Sequence, residues 1–273
     1  MTSEKLEFCV VMSVYYGDCD RYFDKAVESL LCQTVAPNQI VIAVDGQVGN
    51  ELDDAINKVS KLSIVDIIRI EDNIGPGAAK KLAINHTKYP IIAVMDSDDI
   101  SLPFRFQKQL QLFIKSDLDV VGGWINEFTE NCLNTDQVRR VPSSRQEILK
   151  RAKWRNPINH VTLMFTKESY DKAGGYPTAR YCEDWELIVR MLKTGAKIQN
   201  IPEVLVQVRA GSSMINRRQT KKNLSAEITL FLVFYKLNFI WFHELVINIS
   251  IRVIFKVVPK WFLNYVYKMV LRN

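Results

Sequence analysis

The chain has 273 residues, 48% apolar and 24% charged, a balance that fits a globular protein and excludes a disordered chain. Its net charge of +6 is unevenly placed: residues 209–273 hold 11 Lys and Arg against 2 acidic residues, which leaves 25 basic and 28 acidic residues in 1–208. A mildly acidic body with a basic tail argues against a protein that coats nucleic acid. It argues for a local anionic partner, such as phosphate groups or lipid headgroups.

The first half reads as alternating strand and helix. Phe8–Val14 is an apolar run suited to a buried strand, and 21–34 carries apolar residues at helical spacing. Strands follow at 39–44, 64–70 and 91–95, with helices at 51–62, 77–85 and 103–114 between and after them. Such alternation implies βαβ units and a parallel sheet covered on both faces. Ligands of these sheets bind at the carboxyl ends of strands. The middle is mixed: strands are expected at 119–123, 161–165, 197–201 and 204–209, and helices at 144–153 and 184–192. The end is helical, with helices at 224–235, 245–258 and 260–271.

After Glu244 no acidic residue occurs, and Arg252, Lys256, Lys260, Lys268 and Arg272 are interleaved with Phe255, Trp261, Phe262, Tyr265 and Tyr267. That composition is expected of a helix lying in a membrane interface, the alternative being helices packed on the body with solvated lysines outside. No 18-residue stretch lacks a charge, so no spanning helix is expected. The N-terminus shows no signal-peptide pattern. Five cysteines without a C-x-x-C pair and three histidines form no zinc set, and point to reduced thiols in the cytoplasm.

Two acidic groups carry chemistry. A buried strand ends abruptly in Asp96-Ser97-Asp98-Asp99. Carboxylates this close repel one another unless a cation or strong donors neutralise them. A hard divalent ion takes oxygen ligands and shares itself with phosphate oxygens and water. The Asp-x-Asp therefore reads as a metal–diphosphate site, against the bland reading of an acidic turn before a helix. The second group, Glu183-Asp184-Trp185, opens a helix after the turn Gly174-Gly175-Tyr176-Pro177. Acids favour a first helical turn in any protein. They also suit a general base at a pocket rim.

Taken in order, Ser13-Val14-Tyr15, Leu31-Cys32-Gln33-Thr34, Val44-Asp45-Gly46, Asn73-Ile74-Gly75, Asp96-Ser97-Asp98-Asp99 and Glu183-Asp184 resemble the inverting glycosyltransferases of family 2. The likeness runs over about residues 8–210, and within the family it is greatest to bacterial enzymes that assemble O-antigen or exopolysaccharide repeat units. It implies a GT-A fold, with a mixed, mostly parallel sheet flanked by helices. A nucleotide-sugar half (1–116) and an acceptor half (117–210) would form the catalytic domain. Beyond the likeness, composition makes 211–273 a basic, membrane-associating helical tail.

The likeness also implies residue roles. Ser13, Tyr15, Asp45, Asn73, Gly75, Lys80 and Asp96 would surround a UDP-sugar, with Val44 standing where many relatives carry a second acid. Asp98, with Asp96, would hold Mn2+ or Mg2+. Asp184 would be the catalytic base, and Glu183, Trp185 and His160 would line the acceptor side, His160 alternatively being a buried structural histidine. The processive family members' Gln-x-x-Arg-Trp motif is absent, so one sugar is expected per acceptor. The acceptor would be an undecaprenyl-diphosphate-linked sugar at the cytoplasmic face of the inner membrane, met at an anionic lipid surface. Arg209, Arg217, Arg218, Lys221 and Lys222 would close over a diphosphate or stay solvated. Two rivals remain at this point: a sugar-nucleotide nucleotidyltransferase, and a non-catalytic scaffold with a decayed transferase fold.

Overall fold

The computed structural model describes residues 6–128, 137–177, 182–209 and 221–257, the side chains of 221–223 and 255–257 excepted. Four apolar runs become strands β1 (Phe8–Tyr15), β2 (Gln39–Asp45), β3 (Val65–Ile70) and β4 (Ile91–Asp96). Their connections are helices α1 (Asp20–Leu31), α2 (Asn50–Val59) and α3 (Pro76–Asn85). β2 is buried along its whole length, as a strand covered on both faces must be. β1 pairs in parallel with both β2 and β4, and β2 with β3. This register sets Tyr15 beside Asp45 and Ser13 beside Asp96. The carboxyl ends of three strands thus form one rim.

The remaining strands are β5 (Ile100–Ser101), β6 (Val120–Phe128), β7 (Val138–Arg139), β8 (Met164–Thr166) and β9 (Ile198–Arg209). The sheet runs β3-β2-β1-β4-β8-β6-β9-β5, with β7 on β6. β8 is antiparallel to β4 and β6, so the sheet is mixed but mostly parallel on its N-terminal side. Helices α4 (Arg105–Ser116), α5 (Arg145–Ala152), α6 (Lys167–Lys172) and α7 (Glu183–Lys193) complete this part. This is the α/β architecture expected from the sequence.

Two expected elements differ. The strand expected over 161–165 is a 3-10 turn, His160–Thr162, followed by the short β8. The strands expected at 197–201 and 204–209 are one strand, β9, whose pairing with β6 shifts register around Trp124. That irregularity accommodates Pro202, which cannot donate to a ladder.

The chain forms two compact units, 1–210 and 211–273. In the second, α8 (Lys221–Lys236) and α9 (Phe242–Val257) pack on one another. Leu230, Phe231, Phe234, Ile240 and Leu245 are buried there. Among the described residues no helix is long and apolar enough to cross a membrane. The helix expected at 260–271, with Trp261, Phe262, Tyr265 and Tyr267, lies outside the described residues, as do Arg217 and Arg218.

Candidate active site

The rim carries a turn built around one carboxylate. Asp45, at the end of β2, is 2% exposed. It accepts hydrogen bonds from the Ile74 N–H (2.7 Å), the Gly75 N–H (2.9 Å) and the Asn73 amide (3.0 Å). Expected to bind the nucleotide, Asp45 thus holds the Asn73–Gly75 turn in place. Gly75 has φ 93, a conformation that disfavours side chains, and it leads directly into Pro76 at the start of α3. Asp45→Ala strands three N–H donors, and one buried charge-assisted set of this kind is worth roughly 3 kcal/mol or more. We expect a matching loss in urea unfolding, together with weakened nucleotide binding.

The acid cluster at the end of β4 is divided in role. Asp96 is paired with the buried ammonium of Lys80, Nζ to Oδ1 3.0 Å. Burial opposes ionisation of both, but each holds the other charged: the Asp96 carboxyl lies below its usual range and the Lys80 ammonium above its own. Asp99 is buried and accepts the Arg209 N–H at 2.9 Å. Burial, with Asp98 and Asp96 nearby, pushes its carboxyl well up. Asp98 lies between them, only partly buried, its carbonyl oxygen accepting from Arg209 Nε at 3.3 Å. The Arg209 guanidinium stacks over Tyr22 at 3.7 Å, which fixes one cation beside the cluster.

Residues given no site role from the sequence support this rim. Asp18 accepts from the Ser97 hydroxyl (2.8 Å) and the Tyr15 N–H (3.1 Å). Burial, reinforced by Asp98 and Asp96, pushes its carboxyl up to about 6. Gln33, in the Gln-Thr motif after α1, donates to the Leu102 carbonyl oxygen at 2.9 Å and so braces the segment after the acids. Fully buried Arg105 donates to the Val94 carbonyl oxygen (2.8 Å) and to Gln109 (3.1 Å). Gln109 in turn donates to the Thr162 carbonyl oxygen (2.8 Å) and the Val121 carbonyl oxygen (3.1 Å). This buried pair ties β4, which carries the acids, to β6 and to the turn that carries His160. The only early signal for it was an arginine close behind the acids, in Leu102-Pro103-Phe104-Arg105.

The first turn of α7 meets this rim. An added Cβ on Gly77 would lie 2.8 Å from Glu183 Cγ, so glycine lets the start of α3 touch that side chain. Burial raises the Glu183 carboxyl to about 7, with Asp184 and Asp96 adding to the rise and Lys80 opposing it. The folded carboxyl then binds its proton more tightly than the unfolded one. Its ionisation destabilises the fold as pH rises from about 4.5 to about 7. We therefore expect the melting temperature of Glu183→Gln to gain on that of the native chain between pH 5 and pH 8. The difference amounts to about 3 kcal/mol at 1.36 kcal/mol per unit.

Asp184 accepts from the Asn156 amide at 2.8 Å. His160, close enough to feel both Asp96 and Asp184, shares a 2.7 Å hydrogen bond with the Tyr176 hydroxyl. Burial and Lys80 lower its imidazolium, favouring the neutral ring. Trp185 was expected to line the acceptor side. It is instead 7% exposed and donates to the Ala152 carbonyl oxygen at 2.9 Å. That bond ties α7 to the end of α5.

Ser13, Tyr15, Asn73, Gly75, Asp96, Asp98, His160, Glu183 and Asp184 therefore sit on strand ends, turns and helix starts, and Lys80 reaches Asp96 from the middle of α3. The arrangement offers an ion pair, hard oxygen donors and a fixed carboxylate on one rim.

The pattern of Glycosyl transferase family 2 matches residues 9–174. The chain is 32% identical to the UDP-Gal:alpha-D-GlcNAc-diphosphoundecaprenol beta-1,3-galactosyltransferase of Escherichia coli, over 100% of this chain and 99% of that protein. It is 31% identical to the amylovoran biosynthesis glycosyltransferase AmsE of Erwinia amylovora, over 96% of this chain and 98% of that protein. Among solved structures, the 1–349 segment of S. aureus TarS in complex with UDP-GlcNAc superposes with a TM-score of 0.67 at 14% identity, covering 91% of this chain and 73% of that one. A mannosyltransferase from Pyrobaculum calidifontis, in complex with GDP-Man and Mn2+, gives 0.64 at 12% identity, covering 86% and 65%. The fold is thus the GT-A fold, and the chain belongs to glycosyl transferase family 2.

Proposed function

We propose that the protein moves one hexose, galactose or glucose, from a UDP-sugar to a hydroxyl of a lipid-diphosphate-linked N-acetylhexosamine. The linkage formed is β, with β1,3 favoured, in the assembly of an O-antigen or exopolysaccharide repeat unit at the cytoplasmic face of the inner membrane. The observation that carries this reading is the meeting of the Asp96–Lys80 pair, Asp98 and the Glu183–Asp184 turn at one sheet edge. The E. coli relative's donor and acceptor, and the UDP-GlcNAc held by TarS, support the substrate classes.

Asp98 and Asp96 fit a divalent cation. They are hard oxygen donors two residues apart at the end of β4. Such a site suits a cation that completes its shell with diphosphate oxygens and water. When bound there, Mn2+ or Mg2+ would supply positive charge against the diphosphate that leaves.

The chain's own residues do the rest. Lys80 keeps Asp96 ionised and aligned beside Ser13. The turn held by Asp45 shapes the nucleotide wall. Asn156 holds one oxygen of Asp184, leaving the carboxylate oriented to take the proton of the acceptor hydroxyl. Attack from the face opposite the diphosphate inverts the anomeric carbon, so an α-linked donor yields a β-linked product.

A thermal-shift panel with UDP, UDP-galactose, UDP-glucose and UDP-N-acetylglucosamine, with and without manganese, tests the donor class. A joint rise in melting temperature with UDP-sugar and manganese is expected. Release of pyrophosphate from a nucleoside triphosphate and a sugar phosphate would instead support the nucleotidyltransferase.

A further inference from the structure

Helix α9 is polarised the wrong way round for a helix facing water. A surface helix buries its apolar stripe and turns its charges outward. Here an amide and a guanidinium lie on the side that meets α8. Asn248 is fully buried, and Arg252 donates to it at 3.2 Å, lies 3.6 Å from Glu227 of α8 and stacks over Phe231 at 4.4 Å. The opposite face presents Phe242, Val246, Ile247, Ile251 and Ile254, all exposed, with exposed His243 and Ser250 among them and no Asp, Glu, Lys or Arg among its described side chains. Trp241, 71% exposed, stands at the hairpin corner beside Phe242, which is 64% exposed.

We infer that this face of α9, led by Trp241 and Phe242, docks on a phospholipid surface with anionic headgroups. Charge selects that occupant. From Arg209 onward the sequence has 11 cations and two acids, and both acids are engaged within the hairpin: Glu227 with Arg252, and Glu244 with the Trp241 N–H at 2.8 Å. Nothing acidic follows to repel a negative surface, and cations near such a surface attract it. A second copy on the same face would set two strongly basic segments against each other, which like-charge repulsion disfavours. An apolar helix face with an aromatic corner and basic flanks is the pattern of an interfacial, non-spanning segment. This docking is independent of which sugar the enzyme transfers.

Flotation of the full chain with phosphatidylglycerol-containing vesicles, at low and high salt, tests it. The native chain should float at low salt and bind more weakly, without full release, at high salt. Changing Ile247, Ile251 and Ile254 together to Ser should weaken vesicle binding by on the order of 100-fold or more. Transfer to a short soluble acceptor should stay unchanged. If the triple variant does not keep its circular dichroism, quenching of the native chain by brominated lipids decides. Quenching should fall in Trp241→Phe. Absence of flotation at low salt, equal flotation of the folded triple variant, unchanged quenching in Trp241→Phe, or a dimer that the triple variant abolishes without any lipid binding would each overturn the inference. Loss of sugar transfer with flotation intact would count only against the proposed reaction.

Discussion

Replacing Asp184 by Asn should cut turnover by on the order of 100-fold or more while leaving UDP binding intact. The amide keeps size and hydrogen-bonding capacity but removes the basic oxygen. The carboxylate is already held by the Asn156 amide at 2.8 Å, so it is preoriented without being consumed. Its neighbour is a real competitor for the role, because Glu183 carries a carboxyl raised to about 7, near the value that suits a general base. Position separates them. Glu183 leans on Gly77 and feels Lys80, on the nucleotide side. Asp184 faces Asn156 and influences His160. Measured side by side with saturating donor, Asp184→Asn should be the slower enzyme, and a slower Glu183→Gln would exchange the two assignments.

Asp98→Ala should remove most turnover in a chain that remains folded, and excess chelator should do the same to the native enzyme. Of the three acids at the end of β4, Asp96 shares one oxygen, Oδ1, with Lys80, and Asp99 accepts the Arg209 N–H. Asp98 is the more accessible of the Asp98–Asp99 pair. The variant should also lose the manganese-dependent part of the UDP-induced rise in melting temperature. Full activity in excess chelator would contradict the metal reading, and a large drop in melting temperature without any ligand would make Asp98 structural.

The first four strands were legible because each is an uninterrupted apolar run between helical patterns. The acid cluster stood out because three carboxylates in four residues are anomalous after such a run. Other features were set by contacts far along the chain. Thr162 and Asn159 use side-chain hydrogen bonds, Oγ1 to the Asn159 carbonyl oxygen at 2.7 Å and Nδ2 to the Gly123 carbonyl oxygen at 2.8 Å, to close a turn inside an apolar segment. Those bonds override the strand pattern expected over 161–165. Pro202 lies between the two strands expected at 197–201 and 204–209, and the local register shift against β6 absorbs it. Asp18 and Gln109 gain meaning only from Ser97 and Thr162, 79 and 53 residues away. Trp185 shared its neighbours' acidic segment but not their direction, since successive residues on a helix point to different sides.

The most direct test of the account is the product itself. The enzyme, manganese and a panel of UDP-hexoses are incubated with a synthetic lipid-diphosphate-linked N-acetylglucosamine. The product is read by mass and the new anomeric centre by NMR. The account predicts one added hexose and no further extension, with a β configuration from an α-linked donor. An α-linked product, a multiply extended product or a released nucleotide without a new glycosidic bond would contradict it.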